Sequence, residues 1–251
     1  MGLVGFEGWE DEVIHMVPLP VFNRIEAMQQ RIDIEQLGKK WNALCERIEA
    51  KSNQTLVFQD LIKRYREDHR KYHTLQHIKT CLNEFEIARF LAQQPDALMT
   101  ALFFHDVIYE GNKNQPGNKF DDEGNSAEYA RIILTKQLKI NDNFANTVAS
   151  LIVDTKHSSI HTNIDSKLMV DIDLAILGRS QRLFERYEKL IRQEYSWVSE
   201  SDFTAERVKI ISKFLPPHRP TIYQTPFFQK RYEQQAINNL NRSISNLTRA
   251  K

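Results

Sequence analysis

The sequence predicts an all-α fold, and three observations carry that expectation. Apolar residues recur at three- and four-residue steps in one segment after another. The 251 residues include only 8 Gly and 8 Pro, too few for a turn-rich all-β architecture. No internal repeat or low-complexity tract interrupts the pattern. Hydrophobic residues make up 41% and charged residues 27%, the composition of a globular chain able to bury a large core. The length alone admits one large domain or two small ones.

Taken in order, Ile78, Cys81, Leu82, Phe85, Ala88 and Ala92 line one face of a helix. Residues 98–109, LMTALFFHDVIY, are apolar nearly all round and read as the helix at the centre of the core. Ala127, Ala130, Ile133 and Leu134 mark a further helix, and Phe144, Val148, Leu151 and Ile152 another. Leu183, Phe184, Tyr187, Leu190 and Ile191 form an amphipathic stripe, and Phe228, Tyr232, Ala236, Leu240 and Ile244 step by four along a long last helix. Two stretches break the rhythm: 111–124, rich in Gly, Asn and Lys, and 216–226, which carries four prolines. Both are expected to be loops. The first is long enough to be a functional loop, with a mobile surface excursion as the alternative. Residues 1–30 remain an unplaced N-terminal extension, leaving 31–251 as a single helical domain.

The formal net charge is +1, from 34 basic and 33 acidic side chains, so no global field draws the chain to nucleic acid or an anionic membrane. Cys45 and Cys81 are the sole cysteines, which suggests a reducing compartment and reads most simply as two small half-buried side chains. The opening MGLVGFEGWEDEVIHMV lacks the basic start and apolar run of a secretory signal, and Phe6 stands where myristoylation wants Ser or Thr. No stretch of about 18 apolar residues suggests a membrane span. A cytoplasmic protein without a membrane partner is expected.

Chemistry concentrates at His105 and Asp106, two polar residues in the most hydrophobic stretch of the chain. A buried, unpaired carboxylate costs several kcal/mol or more, so Asp106 needs either a metal ion or a basic partner. YHTLQHI at 72–78 adds His73 and His77, four apart and on one face of a helix or its first turn. VDIDLAILG adds Asp171 and Asp173 on a third helix. Together these segments supply the nitrogen and oxygen donors of a hydrolytic metal site. A Gly-rich phosphate loop, a G-x-S-x-G elbow, an H-E-x-x-H helix and a C-x-x-C pair are all missing.

YHTLQHI, FFHDVIY and VDIDLAILG, in that order, resemble the H…HD…D signature of the HD superfamily of metal-dependent phosphohydrolases. The chain is similar in particular to an uncharacterised bacterial branch with a YHxLxHI motif and an E-x-x-S-A segment, here Glu123 to Ala127. The similarity runs from about Tyr65 to Leu247. It implies an HD-type helical bundle in which His77, His105, Asp106 and Asp173 bind a divalent ion, which could be Mn, Mg, Fe, Ni, Co or Zn. Asp173 is preferred to Asp171 because Asp173-Leu-Ala-Ile resembles the terminal metal-binding segment of cyclic nucleotide phosphodiesterases. In those enzymes the first His of the motif protonates the leaving oxygen; here that is His73, which could otherwise simply hydrogen-bond near the site.

Some members hold two metals, which would recruit His157 and Glu123, with Asp106 bridging the ions. Arg70, Lys71 and Lys156 are candidates for phosphate contact, although the run Lys63, Arg64, Arg66, Arg70, Lys71 also reads as a solvated face. The implied activity is hydrolysis of a small phosphate ester, nucleotide-like or another phosphorylated metabolite, by metal-activated water. Alternatives are a di-iron oxygenase of the same superfamily and a non-catalytic sensing or interaction domain stapled by its metal.

Overall fold

A computed structural model describes residues 19–110, 120–157 and 159–249, and among them every regular element is helical. The all-α bundle is therefore the fold. Its helices are α1 (Leu19–Arg47), α2 (Gln54–Arg64), α3 (Leu75–Ala88), α4 (Pro95–Phe104), α5 (Asp122–Ile132), α6 (Asp142–Asp154), α7 (Ile164–Asp173), α8 (Gln181–Glu194), α9 (Glu200–Ser212) and α10 (Pro226–Arg249). The expectations for the first residues, and most of the expected loop 111–124, lie outside the described residues. Helix α1 runs straight through residue 30, so no structural break divides an extension from the domain there.

Helix α4 is the centre of the bundle. Pro95 stands at its start, where the missing N–H costs nothing. Asp165, in the first turn of α7, accepts the Gln93 and Gln94 amides at 2.8 and 2.9 Å and fixes the entry of the chain. From Ala97 to Phe104 every residue is buried, and α1, α3, α5, α6 and α7 all pack against this helix. Trp41 of α1 meets Phe103 edge-on with ring centroids 5.3 Å apart, and its indole N–H donates to the Gln54 carbonyl at 2.9 Å. Burial of such side chains contributes roughly 1.5–3 kcal/mol each, so this layer is the main apolar support of the fold.

The central helix stops earlier than its apolar run suggests. It ends at Phe104 rather than continuing to 109, and His105 and Asp106 occupy the turn beyond it. Arg70 explains the stop. Its buried guanidinium donates to the Asp106 and Val107 carbonyls at 2.6 and 3.1 Å, satisfying acceptors left open beyond the helix end, and to the His73 carbonyl at 3.2 Å.

The two aspartates of α7 have separate duties. Asp171 is fully buried and accepts the Gln224 and Thr225 amides and the Thr225 hydroxyl at 2.7, 2.8 and 2.6 Å. It thereby ties down the end of the expected loop 216–226 and the start of α10. Asp173, two residues on, faces the other way, toward His77 and His105.

Candidate metal centre

Three segments bring the predicted donors together: α3 carries His77, the turn after α4 carries His105 and Asp106, and the end of α7 carries Asp173. His77 Nε2 lies 3.0 Å from His105 Nε2, 3.3 Å from Asp106 Oδ2 and 3.2 Å from Asp173 Oδ1. His105 Nε2 lies 3.2 Å from Asp106 Oδ2 and 3.5 Å from Asp173 Oδ1. Atoms spaced in this way around a common centre each stand about 2 Å from it, the ligand distance of a first-row divalent ion.

The chemistry of the donors agrees with that geometry. Asp106 Oδ2 is buried without a hydrogen-bond partner, although two ring nitrogens stand within 3.3 Å of it. His105 Nδ1 is 3.1 Å from the Leu102 carbonyl, which can only accept, so this nitrogen carries a proton and Nε2 is the ring nitrogen left to face the centre. Burial opposes charge on Asp106 and Asp173, but the surrounding imidazoles, His105 foremost, outweigh it and hold both carboxyls well below the usual range. Burial likewise opposes protonation of His77 and His105. Cys81 and Tyr72 around the first, Asp106 around the second, and the carboxylates around both reverse that effect and raise their pKa well above the ordinary value. The cluster therefore calls for positive charge at its centre, and these residues fit a divalent cation.

Cys81 is a neighbour that sequence reasoning placed only on an apolar face. His77, Cys81, His105 and Asp173 offer ligand atoms all within 4.8 Å of one another. The thiol, however, lies 3.7 Å from His77 Nδ1 and 3.6 Å from Nε2, nearly equidistant, so it sits over the imidazole rather than along the Nε2 lone pair. Asp106 is the better fourth donor.

His73 stands just before α3, and its placement depends on a residue absent from the sequence expectations. Glu194, at the end of α8, accepts the Lys71, Tyr72 and His73 amides at 2.7, 2.8 and 2.9 Å with Oε1. Its Oε2 takes His73 Nδ1 at 2.8 Å and the Tyr109 hydroxyl at 3.0 Å. With Nδ1 bonded to a carboxylate, His73 presents Nε2 to the other side of its ring. The His73 and His77 rings are 5.8 Å apart, and positive charge on His73 acts on Asp106.

Of the residues expected for a second ion, His157 reaches Asp173 Oδ2 at 2.9 Å from a left-handed backbone with φ 53. Glu123 lies in the first turn of α5 rather than at the end of a loop. Burial, with Asp106 next among its acidic neighbours, raises its pKa. The expected phosphate-binding cations are engaged elsewhere. Arg70 braces the backbone, as described, and also pairs with Glu67 at 3.0 Å. The Lys71 ammonium donates to the Asp68 carbonyl at 2.8 Å, and Lys156 pairs with Asp121 at 2.7 Å.

Compared with family models, curated proteins and solved structures, the chain matches none.

Proposed function

We propose that this chain is a metal-dependent phosphohydrolase of the HD type, acting on a nucleotide or another small phosphate ester. The observation that carries the reading is the convergence of His77, His105, Asp106 and Asp173 on one point, with a buried, unpartnered carboxylate oxygen among them. The order of the three motifs that bring these residues there supports the same reading. A divalent ion bound by them would polarise phosphoryl oxygens and lower the pKa of water.

The chain's own residues supply the rest. Glu194 fixes the His73 ring through Nδ1, so His73 holds a proton at Nε2 for an oxygen leaving on the substrate side. Tyr109 packs against that ring at 4.3 Å and shares Glu194, which limits its rotation. His157 steadies Asp173 from outside the cluster.

The test is phosphate release from a panel of phosphomonoesters, nucleotides and cyclic nucleotides by protein loaded in turn with Mn²⁺, Mg²⁺, Fe²⁺, Ni²⁺, Co²⁺ or Zn²⁺. At least one ester is hydrolysed with a metal and none after chelation. His73→Ala retains metal and loses about 10²–10⁴ in rate, less for a nitrophenyl ester whose leaving group needs no proton. A metal-loaded protein that releases phosphate from no ester but consumes dioxygen contradicts the reading.

A further inference from the structure

A phosphate ester is an anion, so its site needs a cation that no protein carboxylate has already neutralised. Arg70 and Lys156 are already paired with Glu67 and Asp121 and do not offer one. Arg219 does. It is half-buried on the loop 216–226, and its guanidinium donates to the His157 carbonyl and lies 5.3 Å over the Phe214 ring. No carboxylate among the described residues pairs with it, and its remaining N–H groups have no described protein acceptor. Burial, uncompensated by any anion, lowers its pKa from the ordinary guanidinium value.

The loop that carries Arg219 is fixed to the metal-site elements. Its end is held by Asp171 of α7, and the Gln224 side chain accepts the His161 amide at 2.7 Å and donates to the Ser159 carbonyl at 3.3 Å. His157, whose carbonyl Arg219 grips, touches Asp173 through its imidazole. Arg219 is thus joined to the metal cluster through a single residue, on elements that position it firmly.

We propose that Arg219 is the phosphate-binding residue of this site, its free N–H groups receiving phosphoryl oxygens of the substrate. The proposal rests on the phosphohydrolase reading. A planar guanidinium suits two phosphoryl oxygens at once, a geometry that an ammonium cannot reproduce.

The experiment is calorimetric titration of Mn²⁺-loaded protein with inorganic phosphate, with Mn²⁺ binding measured separately, for the parent, Arg219→Gln and Arg219→Lys. Gln can still donate to the His157 carbonyl but carries no charge, whereas Lys keeps the charge and loses the fork. The expected result is unchanged Mn²⁺ binding in all three. Phosphate binding should weaken about 10- to 100-fold in Arg219→Gln and less in Arg219→Lys. Phosphate binding as tight in Arg219→Gln as in the parent would overturn the proposal, leaving Arg219 an anchor for His157. So would a parent that binds Mn²⁺ but not phosphate. A parent that binds no metal brings down the phosphohydrolase reading instead, and this proposal with it.

Discussion

Glu194 holds a turn and an imidazole at the same time. Burial opposes its charge, but His73 and the amides of residues 71 and 73 outweigh that cost and bring its pKa from the ordinary 4.5 to about 2. A carboxyl whose folded pKa is depressed contributes stability that is complete above about pH 4.5 and is lost as the pH falls toward 2. Glu194→Gln should therefore be less stable than the parent by about 1–3 kcal/mol at neutral pH, with the gap closing between pH 4.5 and 2. Denaturation at a series of pH values checks this, and a gap that does not change with pH speaks against it. The residues of the candidate metal centre are legible in the sequence because each sits in a short motif of polar residues beside apolar ones. Glu194 is not, since it meets His73 across 121 residues and no spacing relates the two. The expectation for Arg70, phosphate contact or a solvated face, misses its buried role for a similar reason: its carbonyl partners at 106 and 107 are remote in sequence.

At the scale of elements, the 3₁₀ turn Leu174–Gly178 following α7 sets how closely α10 approaches the site. A Cβ at Gly178 would fall 2.4 Å from Tyr232 Cβ and 2.8 Å from the Tyr232 carbonyl oxygen, and neither can move without shifting α10. Gly178→Ala should destabilise the fold by roughly 1–3 kcal/mol, measurable by denaturant unfolding; a cost near zero would mean that α10 is not pressed against this turn. Helices with a broad apolar stripe, α3, α6 and α10, were readable from periodicity. By contrast α2 buries only Val57 and Leu61, and α9 only Thr204 and Ile211, too few positions to repeat a pattern. The overextended reading of α4 has the opposite cause: apolar burial continues to Val107, but the backbone hydrogen bonds are diverted to Arg70.

For the whole molecule, none of the described helices is long and apolar enough to cross a membrane. The charges nearly cancel, so attraction of the proposed anionic substrate would have to come from the site itself. A metal held by the cluster would compete with protons for the same nitrogens, so metal affinity should rise with pH as His77 and His105 give up their protons. The most direct test of the metal centre is elemental analysis of chelator-treated protein after exposure to a first-row divalent ion and dialysis, with melting temperature followed in parallel. The parent and His73→Ala should retain at least one equivalent and melt higher when loaded, while His105→Ala and Asp106→Ala retain little and show no rise. Equal retention in His105→Ala and Asp106→Ala, or none in the parent with any of the six metals, would contradict a centre built from these residues.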